Sequence, residues 1–522
     1  MSADLPTILL WWFTLFLMGI VVLPITARLF GAFADRGYAF SKILALLLLS
    51  YLSWFIPSLH IIKFSQEAII LILTILALVN GVIYLKNRPK PKFKDHESKI
   101  KSNEFLIHNS CFLVLFLEEF LFLAGLLFWS FVRGQEPSIH GLEKFMDFGF
   151  MNSILRSDYF PPKDLWLTPL TLNYYYFGHL SAAVLFKLTG IIPEVGYNLV
   201  LASIFGLALS AVFSLGFNLF YQFICYNPQP DKSQLKDKKL SIANYLSPAK
   251  FASRQTKGNQ LSIKPAVIAG LIATFLVNLG GNLHTIYAFT KGYPNEKPVP
   301  FWDLSPFGWN PQTYWYPNAT RFIPFTIHEF PIYSYVVADL HGHVLNIPFV
   351  LFTIAIVFAV FFSKKIQPIH IILLPLLIAS LYMGNATDGL VYGGLSGLII
   401  LYKWRSEVKR KLSKEKIEIS KLFINFKDFI VSRFSQSGNN PPEFLSRAES
   451  RDYILPYKFL ISLAWLAVGF VLFSLPFSLN FKLFVKGIGV VPANGHSPIY
   501  MLFILWGLPI FFAISFTWFH FG

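Results

Sequence analysis

Two acids spaced i, i+4, Glu143 and Asp147, sit between long apolar runs, in the stretch from Gly141 to Pro162. On a helix over 142–156 they share a face. Phe145, Phe148, Met151 and Leu155 take the other faces, near lipid, so the helix is expected to lie at a membrane surface with its carboxylates at headgroup height. Acids held there can act as a general base or bind a metal, or they can be the solvated acids of an ordinary interfacial helix. Asp158 follows, able to cap a turn or touch a substrate. Further on comes Asn173-Tyr174-Tyr175-Tyr176-Phe177-Gly178-His179. Three adjacent tyrosines bring hydroxyls and flat rings to the mouth of an apolar run. On a helix they point about 100° apart, so at least one is structural. Pro161-Pro162 and Pro169 stiffen the return to the membrane. Trp166 and the tyrosines can also be read as an interfacial aromatic belt.

A second cluster lies in the long loop 284–343. A loop of that length with so many Trp and Tyr residues is not plain linker. Its Arg321 offers a planar fork suited to a phosphate. His328-Glu329-Phe330-Pro331 and Ala338-Asp339-Leu340-His341-Gly342-His343 follow. Asp339, His341 and His343 are ligand types for a divalent metal, although His341 points away from the other two unless Gly342 breaks the turn. Hydrogen bonding to a polar substrate, or a structural polar network, would use the same residues. The turn Gly384-Asn385-Ala386-Thr387-Asp388-Gly389 adds Asn385 and Asp388, with helix capping as the plain alternative.

The elements that must position these groups are apolar. The chain has 522 residues, 54% hydrophobic and only 14% charged, with mean hydropathy +0.53. Soluble domains carry about 25% charged residues. Runs of about 20 apolar residues are long enough for a hydrocarbon core about 30 Å thick. Backbone amides in lipid require helices. The expected fold is an all-α polytopic membrane protein with roughly 11–12 transmembrane helices, a number that follows from the run length. The runs are 7–30, 41–59, 68–86, 105–132, 265–283, 344–363, 368–384, 389–403, 456–479 and 499–520, with one or two more in 178–225.

The net charge of +16 comes largely from the basic loops 86–104, 226–264 and 403–455, joined by Arg28, Arg36 and Lys42. Clustering between apolar runs is the signature of cytoplasmic loops and excludes a nucleic-acid partner. It predicts that 133–178, 284–343, 385–388 and 480–498 share the outer face of the plasma membrane. It also requires an odd number of crossings in 178–225, which conflicts with two apparent helices there. Four segments are expected: 1–104 with the N-terminal helices and a basic loop, 105–403 with the core and both outer loops, a basic loop 404–455, and helices in 456–522. Cys111 and Cys225 form no disulfide or zinc pattern. The first apolar run reads as a retained span. The chain ends inside an apolar run, so a longer protein is expected. Glu118-Glu119 stands out inside a span, either as a buried polar contact or as a coupling site of a transporter.

Four blocks together resemble the uncharacterised "YYY" membrane proteins of archaea and Chloroflexi-type bacteria, the DUF2298-type family. They are Glu143–Asp147 with Arg156 to Pro162, Asn173 to Gly178, His328 to His343, and Asn385 to Asp388, covering about 105–510. Thr387 stands where other members have Trp. The family's layout is similar to GT-C membrane glycosyltransferases, with a helical core, large outer loops and an acid in the first of them. That resemblance implies a polyprenyl-phosphate-linked sugar as donor, an acceptor of unknown identity, and membrane lipid as surroundings. It assigns Asp147, then Glu143, as base, and Arg321 to the leaving phosphate with help from His341 and His343. Asp339 would hold a metal or orient a histidine. Asp158, Asn173, Tyr174, Tyr175, Tyr176, His179, Glu329, Asn385 and Asp388 complete the expected substrate-binding set. A transporter or lipid translocase, or a non-catalytic envelope-assembly protein, are the competing readings.

Overall fold

A computed structural model describes residues 4–86, 101–226, 263–295, 297–363, 366–415, 454–483, 489, 490, 492 and 495–521. Most of each basic loop, at 87–100, 227–262 and 416–453, lies outside the described residues. The helices are α1 (Leu5–Leu29), α2 (Ser41–Ser58), α3 (Gln66–Lys86), α4 (Lys101–Gln135), α5 (Lys144–Arg156), α6 (Phe177–Thr189) and α7 (Pro193–Tyr226). They continue with α8 (Lys264–Asn278), α9 (Pro331–Val337), α10 (Gly342–Phe362), α11 (Pro368–Gly384), α12 (Ala386–Glu415), α13 (Ile454–Ser478) and α14 (Ile499–Phe521). Among the described residues, extended pairing is confined to one bridge, between Lys163 and Thr171.

Helices occupy every anticipated apolar run. Among the described residues, eight are long and apolar enough to cross a membrane, or up to nine if α8 and the 3-10 helix Leu283–Phe289 form one bent span. That count, taken from length and composition, is lower than the expected 11–12. The difference lies in the short α6 and α11 and in α12, a long helix that is apolar only in its first half. At 1.5 Å per residue, α6 is about 20 Å long, well under the hydrocarbon thickness. Its residues Phe177 to Phe186 are all buried, so it faces protein rather than lipid. Within 178–225 α7 alone is long and apolar enough to cross, which is the odd number that the charge bias requires.

Contacts divide the chain into two units, Met1–Leu271 with Leu340–Phe481, and Ile272–Asp339 with Lys482–Gly522. In the first, α7 is central, with 89% of its apolar window buried, whereas α3 has 22%. Ile70, Leu71, Ile75, Leu78, Val79 and Val82 of α3 are exposed. On a soluble protein such a patch would aggregate; in a bilayer it is the lipid-facing surface.

The α4–α7 crossing depends on two glycines. A Cβ on Gly125 would lie 2.8 Å from Gly206 Cα, and one on Gly206 would lie 2.6 Å from Phe122 O. Small residues let two backbones approach where lipid provides no hydrophobic drive. Gly206→Val forces this backbone contact apart and is expected to cost at least about 1–3 kcal/mol. A melt in detergent reads it as a lower midpoint, and an unchanged midpoint counts against the crossing.

The second unit is built on rings. Tyr287, Leu304, Phe322 and Ile323 pack with Met501, Ile504 and Leu505 of α14. The buried His284 is bonded at both ring nitrogens, to Tyr314 Oη at 3.0 Å and Tyr293 Oη at 2.6 Å. Of the aromatic residues of 284–343, Tyr287, Phe322, Tyr333 and Tyr335 are buried, whereas Trp302, Trp309 and Trp315 are exposed.

Candidate functional site

Helix α5 forms as expected, with Glu143 as its N-cap residue. Its two acids separate. Asp147 is fully buried, whereas the Glu143 carboxylate is 60% exposed. The reason is the stripe Asp147, Phe150, Met151 and Ile154 at i, i+3, i+4 and i+7, all buried. That stripe turns inward. Met151, expected to face lipid, is buried with it, and Asp147 is carried into the protein interior.

The burial of Asp147 is met from α6. His179, in the first turn of that helix, is also 0% exposed, and its Nε2 lies 3.0 Å from Asp147 Oδ1. With the carboxylate accepting, Nε2 carries the hydrogen and Nδ1 is left as an acceptor. Among the described residues, neither Asp147 Oδ2 nor His179 Nδ1 has a hydrogen-bond partner. Each orphaned polar atom costs about 1–3 kcal/mol in a folded interior. Phe150 holds the imidazole edge-on at 5.5 Å and packs on Tyr174 at 4.9 Å.

The three tyrosines precede α6 in non-helical backbone and diverge. Tyr176 is buried, stacks with Phe160 and accepts a hydrogen bond from Trp54 Nε1 at 3.0 Å. It is the structural one. Tyr175 packs on Phe481 at 5.1 Å. Tyr174 faces the acids: burial, and then the charges of Asp147 and Glu143, push its phenol up to about 12. It stays a neutral hydroxyl at physiological pH and cannot serve as the base. Asn173 is half-buried just before it.

A second pair enters from α10. His341 is extended and N-caps this helix, which begins at Gly342. The break lets His341 and His343 stack, with ring centroids 5.9 Å apart and planes at 13°. His341 Nε2 is 3.3 Å from Glu143 Oε2. A ring nitrogen of His341 lies within 4.8 Å of a carboxylate oxygen of Asp147. Gly342 is needed here: a Cβ would stand 2.2 Å from Gly384 O at the end of α11. Imidazole and carboxylate donors so placed suit a divalent ion of the zinc or manganese type. In the first turn of α12, Asp388 accepts from Asn346 Nδ2 at 2.9 Å. Asn385 Oδ1 accepts from Thr387 N–H at 3.2 Å, so Asn385 acts as the cap.

Glu143, Asp147, Tyr174, His179, His341, His343 and Asp388 thus belong to one unit. Other expected residues are engaged with partners of their own. Asp158 forms an exposed ion pair with Lys63 at 2.8 Å. In the second unit, Arg321 Nη1 donates to Tyr333 Oη at 3.2 Å, and Glu329 accepts from Ser334 Oγ at 2.7 Å at the start of α9. Asp339, buried, ends the first segment of that unit. Two polar residues were missed. Asn346, fully buried, also donates to Leu381 O; an amide inside an apolar run was its available signal. Tyr197 Oη accepts from Leu340 N–H at 3.2 Å, and nothing in the sequence marks it.

The helices and their apolar faces define an all-helical, multi-pass membrane protein with a polar cluster at the N-terminal ends of α5, α6 and α10, buried at Asp147 and His179. The chain belongs to the family described as uncharacterized membrane protein (DUF2298), whose model matches residues 48–521. No curated protein and no solved structure matches it.

Proposed function

We propose that this protein is a GT-C-type membrane glycosyltransferase, moving a sugar from a polyprenyl-phosphate donor to an acceptor on the outer face of the plasma membrane. The observation that carries the reading is the fully buried Asp147–His179 pair, which keeps one acceptor atom bare on each partner. An acid and an imidazole in hydrogen-bond reach of a reacting hydroxyl are the means of general-base catalysis. The acceptor O–H gives its proton to the pair as the acceptor oxygen bonds to the anomeric carbon. The bond from that carbon to the phosphate oxygen breaks, and the lipid phosphate leaves with the electron pair. Imidazole N–H groups of His341 and His343 supply hydrogen bonds to the departing oxygens. The element order supports the reading too: a span, a short helix carrying the acid, then a Pro- and Tyr-rich return.

The test uses the full chain in proteoliposomes with a panel of radiolabelled polyprenyl-phosphate hexoses. Release of label from the lipid is expected, and no release from any donor overturns the reading. Glu143→Gln weakens the charged contact to His341, so a loss of about tenfold is expected, the scale of one charge-assisted contact. Initial rates at saturating donor measure it.

A further inference from the structure

A second buried acidic group lies away from the α5–α6–α10 cluster and is not used by the proposed reaction. Asp35 is in the turn after α1 and is 4% exposed; Glu118, in α4, is 0% exposed. Three side chains of α7 at i, i+4 and i+8 hold that turn. Ser214 Oγ donates to Asp35 Oδ2, Asn218 Nδ2 donates to the same oxygen at 2.7 Å, and Gln222 Nε2 donates to Ala32 O. Gly37 N–H donates to Asp35 Oδ1 at 2.7 Å. Asp35 is therefore fully supplied with donors.

Glu119 is supplied as well. It takes Lys42 Nζ, Tyr38 Oη at 2.7 Å and Trp12 Nε1 at 2.8 Å. Glu118 receives nothing. It sits against Asp35 and Ser214, yet neither oxygen is aligned for a hydrogen bond among the described residues. An ionised carboxylate without a donor at full burial costs several kcal/mol. Two facing carboxyls in low dielectric are accommodated when they share one proton. Among the described residues, the titratable groups next to the pair are Tyr38, Lys42 and Glu119, and α7 meets it with Ser214 and Asn218.

We propose that Glu118 and Asp35 form a proton-binding site, with Glu118 carrying the proton, Asp35 the charge, and the turn at exposed Arg36 the route to water. Proton binding there gives the bundle a pH-responsive contact joining the α1–α2 turn to α4 and α7. The test is infrared spectroscopy of the full chain in nanodiscs at neutral pH. A protonated carboxyl stretch is expected, shifting within minutes in D2O and missing from Glu118→Gln, which keeps the shape of the neutral acid. Asp35→Asn removes the charged acceptor, so the band is expected to move; this variant serves as the check if Glu118→Gln does not fold. Absence of the band in the natural chain, a band insensitive to D2O, or a band unmoved by Asp35→Asn overturns the proposal.

Discussion

Asp147→Asn is expected to lower the rate of sugar release by about 10²–10⁴-fold, the range associated with general-base catalysis, while leaving the fold intact. The side chains have the same shape. The Asn carbonyl still accepts from His179 Nε2–H, now held at 3.0 Å. What is lost is the carboxylate that stabilises a proton taken up by the pair, and an amide cannot take one itself. Stability runs the other way: removing a fully buried charge relieves a desolvation cost, so the melting midpoint is expected to hold or rise. This opposite movement separates chemistry from folding. His179→Phe keeps the ring against Phe150 and Tyr174 but removes the bare nitrogen, so it should flatten the limb of the pH–rate profile set by the base. A folded Asp147→Asn protein that releases sugar at the natural rate excludes Asp147 from the base.

The helices were legible because their signal is length: about 20 apolar residues can hardly be read otherwise. What periodicity and composition left open was depth. Glu143 and Asp147 were rightly placed on one helix, but i, i+4 spacing says nothing about which stripe turns inward, and Phe150, Met151 and Ile154 decide that. The pairing of Asp147 with His179 joins residues 32 positions apart and is invisible in either segment alone. His341 and His343 turned on a single point, whether the turn breaks at Gly342; it does, with His341 extended as the N-cap of α10, and α11 leaves no room there for a Cβ. The aromatic loop divides in two. Tyr287 and Phe322 fill the interior of the second unit beside His284, while Trp302, Trp309 and Trp315 stay exposed. Aromatic count does not separate a core from a binding face, since both use the same rings.

Lys42→Met is expected to destabilise the chain by about 3–5 kcal/mol, the cost of leaving one partner of a buried ion pair uncompensated. Lys42 is 2% exposed, and its ammonium meets Glu119 with Tyr38 and Phe122 rings 4.7 and 5.1 Å away. Its stem fills the space left by Gly19, where a Cβ would come within 2.9 Å of Lys42 Cγ. Met retains most of that volume, so the loss is chiefly electrostatic. The double variant Lys42→Met with Glu119→Gln tests this directly. Trp12 can still donate to the amide oxygen and Tyr38 Oη can accept from the amide nitrogen, the buried charge is gone, and most of the lost stability is expected to return, since replacing a whole buried pair is often neutral. Melting midpoints of the natural chain, both single variants and the double close the cycle. A double variant no more stable than Lys42→Met alone means that packing against Gly19, not the charge on Glu119, is what Lys42 provides.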